Sequence, residues 1–301
     1  MGQGFRGCGR KNGLDAVTRN GVSGSTVKSL ETIDLACDCC GAHDERFILE
    51  KAGALTGHSF RLVKCRNCGF LYFNPRPTES AISILYDSQY YSGRGFDPGV
   101  DYVQDFENPN DEAKRFRPGA HARRLLAFKS PPARLLDFGC GIGDFARQAR
   151  RLGYDVEGFE ISPDAREFCS HHGLKVYSEQ LPTAQYDIVT AIEVIEHAYS
   201  PTRMLSQIHS ALKPGGYFLY TTRNMRPFEI LNRMGMASDH PYLKPEGHLN
   251  FFTRETMKRF LAKTGFRKIG APFSIPARSP KALLRHYLYY PLQLHLPCGI
   301  K

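Results

Sequence analysis

The 301-residue chain contains no run of about 18 uninterrupted apolar residues, so nothing in it reads as a membrane-spanning helix. Its first residues, MGQGFRGCGRKNGLDAVTRNGVSGS, lack the apolar stretch of a signal peptide. They are polar, glycine-rich and basic, and predict a disordered leader over 1–30. Internal repeats and long low-complexity tracts are missing too, which excludes solenoid and fibrous architectures. Acidic residues are in short supply, with 30 Asp and Glu against 40 Lys and Arg, and the formal charge is +10. Such a balance suits RNA, an anionic membrane surface or an acidic substrate. Much of the excess, however, lies in the leader and in the last thirty-odd residues, so a basic surface with loose basic ends also accounts for it. At 42% hydrophobic and 23% charged residues, the composition is that of a globular protein.

The nine cysteines are an odd number and are clustered, which fits metal binding in a reducing compartment, the cytoplasm, better than disulfides. Cys37-x-x-Cys40-Gly and Cys65-x-x-Cys68-Gly form two knuckles separated by 24 residues, 41–64. Four thiolates in a tetrahedron are the preferred environment of structural zinc, and the glycines after each pair permit tight turns. The expected ligands are Cys37, Cys40, Cys65 and Cys68, with Cys39, inside the first pair, a bystander or a competing ligand. FILEKAG and HSFRLVKC between the pairs predict short strands, and the span 31–78 reads as a zinc ribbon.

A helical, tyrosine-rich lid or linker is expected over 79–130. The span 131–272 alternates buried strands with helices, as an α/β fold with a mostly parallel sheet and helices on both faces does. ARLLDFG, YDVEGFEI, LKVYS, YDIVTAIEVIEH and YFLYTTR predict strands. DFARQARRLG predicts a helix, as do SPDAREFCSHHG with Ser162 as N-cap, PTRMLSQIHSALKPGG closed by Pro214-Gly215-Gly216, and RETMKRFLAKTGF. RKIGAPF is a further candidate strand.

LLDFGCGIGDFA sets Gly139, Gly141 and Gly143 between the first strand and its helix, where a ligand must approach backbone closely. Glu160 ends the second strand at the distance where a carboxylate accepts hydrogen bonds from a ribose diol. These features alone leave a nicotinamide dinucleotide open. The larger pattern adds YDIVTAIEVIEH, LKPGGYFLYTT and EGHLNFFTRETMKRFLAKTGF, and over roughly 120–272 it resembles the class I S-adenosylmethionine-dependent methyltransferases. The resemblance implies a Rossmann-like fold and a cofactor site lined by Asp137, Gly139, Gly141, Glu160 and Glu193, with Ser178 or Glu179 beside the adenine. Asp137 is expected to act mainly by ordering the loop, the alternative being a buried strand-end Asp with no further role. The ribbon followed by GFLYFNPRP and Tyr86, Tyr90 and Tyr91 resembles methyltransferases of bacterial sugar and secondary-metabolite pathways. In that group the tyrosine segment is a lid over the cofactor, although packing between two domains would use the same aromatics.

Glu193, Glu196 and His197 stand at i, i+3 and i+4 of an expected helical first turn and so share a face. With His248 they resemble the E-x-x-E-H plus distal His set of small-RNA 2′-O-methyltransferases and of ubiquinone-pathway O-methyltransferases. One reading is a second, divalent-cation site holding Mg2+; a histidine base without metal is another, and a helix cap is a third. His197 and His248 are the candidate catalytic bases.

The expected function is O-methylation of a small-molecule or sugar-type acceptor. An oxygen nucleophile is favoured because no Asn-Pro-Pro-Tyr amine clamp and no cysteine nucleophile follows the fourth strand. The alternatives are an RNA methyltransferase using the ribbon to bind RNA, and a non-catalytic Rossmann-like scaffold. Nucleic acid is not favoured, because tyrosines and acids dominate the interval behind the ribbon. In the C-terminal segment 273–301, Leu283, Leu284, Tyr287 and Leu288 recur at helical spacing. That segment either packs on the catalytic domain or makes peripheral membrane contact.

Overall fold

A computed structural model describes residues 30–95, 100–110, 114, 117–235, 240, 242–268 and 298–299. The leader before Leu30 and the amphipathic segment expected at 273–301, apart from Cys298–Gly299, lie outside the described residues.

The N-terminal part is antiparallel. β1 (Thr32–Ile33) pairs with β5 (Arg76–Pro77), while β2 (Glu45–Ala52), β3 (Ser59–Cys65) and β4 (Leu71–Phe73) form consecutive strands of a second sheet. The knuckles sit at the ends of these strands. Gly41 and Gly69 adopt φ +77° and +78°, and their N–H groups close onto the Cys37 and Cys65 carbonyls at 2.7 and 3.0 Å. A Cβ-bearing residue is disfavoured in that left-handed conformation.

Short helices follow: α1 (Glu79–Ile84), capped by the Thr78 hydroxyl, α2 (Ser88–Tyr91), α3 (Tyr102–Glu107), capped by Asp101, and α4 (Pro118–Leu125). The large sheet then begins. β6 (Arg134–Phe138), α5 (Asp144–Arg151), β7 (Asp155–Phe159), α6 (Pro163–His171), β8 (Val176–Tyr177), β9 (Tyr186–Ile192), α7 (Pro201–Ala211) and β10 (Leu212–Thr221) alternate as the pattern predicts. Ser162 and Ser200 cap α6 and α7, each followed by proline at the first helical position. The five strands β8-β7-β6-β9-β10 are parallel. Because crossovers of parallel strands are right-handed, reversal of the strand order at β6/β9 puts helices on both faces and opens a crevice at the carboxyl ends there.

Three findings differ from the pattern reading or extend it. α7 ends at Ala211, before Pro214-Gly215-Gly216, because Leu212 already pairs with Tyr186 and the glycines form an irregularity inside β10. α8 (Arg226–Arg233) and β11 (Asn250–Phe251) have no counterpart in that reading, whereas α9 (Arg254–Lys263) was expected and carries a Thr253–Thr256 capping box. The candidate strand RKIGAPF starts as β12 (Arg267–Lys268), which reaches the large sheet through the antiparallel β13 (Cys298–Gly299). Its remainder lies outside the described residues.

β11 does not join the large sheet. It pairs antiparallel with β4 and so completes the ribbon sheet in the order β11-β4-β3-β2. The sheet therefore crosses the boundary expected at residue 78. Phe70, just before β4, packs 4.8 Å from the Phe260 ring and 5.3 Å from Phe252. Cys37, Cys65 and Cys68, together with Cys39, share one buried core with Leu136, Met257 and Phe260, whereas Cys40 is exposed. Among the described residues, no helix is long and apolar enough to cross a membrane.

Candidate active site

A cavity of about 750 Å³ opens at the carboxyl ends of the parallel strands. Asp137, Gly139, Gly141 and Glu160 line it, as do Ser178, Glu179 and Glu193. His197 and His248 line it as well, so the cofactor residues and the bases expected from the sequence meet in one space.

The loop after β6 is shaped by its neighbours. Gly139 has φ +72°, and a Cβ there would come within 2.6 Å of the Val194 side chain. The Gly139 and Cys140 N–H groups donate to the Phe159 carbonyl at 2.7 and 3.1 Å, and Gly141 N–H donates to Glu160 Oε2 at 2.9 Å. Glu160 Oε1 accepts from Ser162 N–H at 2.9 Å. Glu160 thus holds this loop directly, while the Asp137 carboxylate accepts from the Thr190 hydroxyl at 3.0 Å, across to β9. Asp137 is buried, and loss of hydration pushes its carboxyl up to about 7. Burial also raises the Glu160 carboxyl, against the opposing pull of its backbone N–H partners.

Glu193 is one of three non-glycine residues with positive φ among the described residues, at +54°. Its N–H is held by the Thr221 carbonyl at 3.1 Å and the Thr221 hydroxyl at 2.9 Å, so β9–β10 pairing runs to the bend. Only Ile195–His197 is then helical, as a single 3₁₀ turn. Glu193 thus lies outside the turn, so the helical first turn expected to group Glu193, Glu196 and His197 is absent, although all three line the cavity. Burial and the nearby Glu196 charge push the Glu193 carboxyl up to about 7. Burial raises the Glu196 carboxyl too. Among the described residues, Cys37, Cys40, Cys65 and Cys68 are the only group of three or more His, Cys, Asp or Glu side chains whose ligating atoms all lie within 4.8 Å of one another. The second divalent set of Glu193, Glu196, His197 and His248 does not converge in this way.

The two histidines are adjacent, with ring centroids 4.7 Å apart. His248 Nδ1 lies 2.7 Å from the Tyr242 carbonyl, which can only accept, so Nδ1 carries the proton and Nε2 keeps its lone pair. Burial, followed by the neighbouring His197, holds the His248 imidazole well below its usual range and therefore neutral. His197 Nδ1 lies 3.0 Å from the Gly247 carbonyl and 2.8 Å from the Tyr86 hydroxyl.

Tyr86, Tyr90 and Tyr91 are buried and line the cavity, and they share a core with Phe60 and Phe73 of the ribbon sheet and with Ile142 and Ala165. Tyr91 Cε1 would be 3.5 Å from a Cβ on Gly141. Arg223 and Tyr242 are further lining residues that no short motif announces, with the guanidinium 4.5 Å from the Tyr242 ring centroid.

On the ribbon side, Cys37 and Cys68 sulfurs are 3.5 Å apart, and Cys40 and Cys65 sulfurs 3.6 Å. Those separations are far too long for disulfides and close to the ~3.8 Å edge of a tetrahedral zinc–thiolate site. Burial pushes the Cys37 thiol up to about 12, so thiolates there call for a compensating cation.

Several known proteins are similar to this chain. A ubiquinone biosynthesis O-methyltransferase of Bordetella avium (strain 197N) is 33% identical over 110 residues, covering 33% of this chain and 46% of that protein. The protein of the same description from Burkholderia ambifaria (strain MC40-6) is 30% identical over 175 residues, 50% of this chain and 71% of that protein. The chain thus spans about half the length of the first and under three quarters of the second. A crystal structure of a protein from Pyrococcus horikoshii shares the fold, with a TM-score of 0.51 at 16% identity over 71% of this chain and 99% of that one. Residues 112–270 match the family model described as a methyltransferase domain. That match covers more than half of the 301 residues, and this chain belongs to the methyltransferase-domain family.

Proposed function

We propose that the protein is an S-adenosylmethionine-dependent methyltransferase that methylates a hydroxyl of a small-molecule acceptor, and that its ribbon holds one structural zinc through Cys37, Cys40, Cys65 and Cys68. The observation that carries this reading is the single cavity in which the glycine loop and Glu160 meet a neutral, lone-pair-bearing His248. The residues fit the cofactor. Gly139 and Gly141 leave the loop backbone accessible, and each Glu160 oxygen holds one backbone N–H while retaining acceptor capacity for a ribose diol. Glu193 Oε1 and Glu196 Oε2 are buried side-chain acceptors without a hydrogen-bond partner, the condition of groups completed by a bound donor.

When bound, the cofactor would supply a sulfonium methyl group that passes in line to the acceptor oxygen, the S–C bonding pair leaving on the neutral thioether. The protein contributes position, exclusion of water and removal of one proton. Gly139, Gly141 and Glu160 hold the cofactor, and the tyrosine roof of Tyr86, Tyr90 and Tyr91 shuts out solvent. His248 takes the acceptor's proton at Nε2, with His197 beside it. The O-methyltransferase descriptions of the relatives support an oxygen acceptor.

Calorimetry with S-adenosylmethionine and with NAD, followed by mass spectrometry of catechol incubated with protein and methyl-labelled cofactor, tests the reading. Micromolar binding of the sulfonium cofactor and an O-methylated product are expected. Tight NAD binding with none of S-adenosylmethionine overturns it.

A further inference from the structure

We propose that Glu196 and Tyr242 are positioning residues that lock His248 in the tautomer a base requires; the base role rests on the reading above, whereas the lock itself does not. Three contacts made by Tyr242 carry the inference. Its carbonyl accepts the His248 Nδ1–H at 2.7 Å, its hydroxyl donates to Glu196 Oε1 at 2.7 Å, and its ring lies 4.2 Å from the imidazole. Both residues are sequestered, Glu196 at 0% and Tyr242 at 2% exposure. A fully buried carboxylate is expensive, and its clearest hydrogen bond runs to the residue that holds His248.

The Glu196 carboxylate is not needed to hold the loop by its main chain. The Glu196 carbonyl already accepts from Leu249 N–H at 2.9 Å and from the Asn250 amide at 3.4 Å. What the carboxylate adds is a fixed position for residue 242, and through it the direction of one carbonyl. If that carbonyl moves away, the imidazole proton is free to sit on Nε2. The cavity would then meet a donor where abstraction needs a lone pair. The charged and titratable groups around His248 are His197, Lys244 and Arg223, with Glu196 behind Tyr242. The three basic neighbours disfavour a second proton on the ring, so the tautomer, rather than the charge, is what remains to be set.

The test is ring-nitrogen NMR on full-length protein labelled with ¹⁵N-histidine and saturated with S-adenosylhomocysteine, with the His248 signals assigned by their loss in His248→Asn. The wild type is expected to show one neutral Nδ1–H tautomer across neutral pH. Tyr242→Phe is expected to give a tautomer mixture and a ring that starts to titrate in that range. Its kcat toward catechol should fall about tenfold, with the KM for S-adenosylmethionine unchanged. Glu196→Gln, whose amide oxygen still accepts from Tyr242, should keep the wild-type tautomer signature, whereas Glu196→Ala should give the tautomer mixture of Tyr242→Phe. A wild-type Nε2–H tautomer, or a Tyr242→Phe spectrum identical to wild type, overturns the proposal. A protein that shows the lock but methylates nothing removes the functional reading and leaves the positioning intact.

Discussion

Glu160 Oε2 accepts the Gly141 N–H at 2.9 Å, so the acid at the end of β7 and the glycine loop after β6 are one unit. Loss of the carboxylate removes the cofactor's partner and frees the loop together. Glu160→Ala is expected to weaken S-adenosylmethionine binding by about 1.5–3 kcal/mol, the usual worth of a charge-assisted pair. It should also lower the melting temperature of the unliganded protein, because the Gly141 and Ser162 N–H groups lose their acceptor. Calorimetry and thermal melts check both; weaker binding with an unchanged melt would mean that the loop does not depend on Glu160.

The ribbon sulfurs lead to a second expectation. Cys65→Ser should lose zinc and soluble yield, whereas Cys39→Ser should retain the metal, since Cys39 is outside the group of four whose sulfurs converge. Metal analysis of purified protein decides it. Equal zinc in wild type and Cys65→Ser rejects the ligand set.

The acids in the crevice make stability depend on pH. Burial raises Asp137 from 3.8 to about 7, so between these values the folded chain holds a proton that the unfolded chain has released. The stability this contributes is complete below the lower value and is lost as pH rises through about 7. Glu193, raised from 4.5 to about 7, acts in the same direction. His248, lowered by burial, acts in the opposite one, its contribution being present above the ordinary histidine value and lost as pH falls. Asp137→Asn carries no titrating group, and its amide oxygen can still accept from Thr190. Relative to wild type, the variant should therefore gain stability on going from about pH 5 to about pH 8. Melts of ligand-free protein measure this, and a wild-type-to-variant difference independent of pH refutes it.

Much of this site was legible because its signals are local. The knuckles, the glycine loop and the Ser162-Pro163 helix start each fit within a few residues, and the distance from the loop to Glu160 is one strand–helix unit. What escaped depends on partners far along the chain. Asp137 meets Thr190, 53 residues away, and only that contact shows that its carboxylate is tied to β9. Pairing with Thr221 carries β9 through to the bend at Glu193, so the helical spacing of E-V-I-E-H describes a helix that never starts there. Tyr242 gives no local sign of its role, because its partners Glu196 and Arg223 lie on other segments. β11 is two residues long, and its pairing with the ribbon is a purely tertiary choice.

The last expectation concerns what the ribbon does for the crevice. Arg76 is 1% exposed and donates to the Tyr199 carbonyl at 3.0 Å and to Asn250 Oδ1 at 3.4 Å. Asn250 in turn donates to the Ala198 carbonyl at 2.6 Å. A ribbon side chain thus braces the segment that carries His197, while Glu160 and the glycine loop hang on β6 and β7, away from the Arg76 hydrogen bonds to Tyr199 and Asn250. Arg76→Ala leaves buried acceptors unpaired and a void behind, and should cost about 2–4 kcal/mol of stability. Its kinetic effect should fall on methyl transfer and spare cofactor binding, because only the histidine side of the cavity loses support. Calorimetry of S-adenosylmethionine binding beside turnover of a methylated probe separates the two. Cofactor affinity that falls in step with the melting temperature, with normal turnover by the fraction still bound, would show that the ribbon supports the fold at large and has no particular hold on His197.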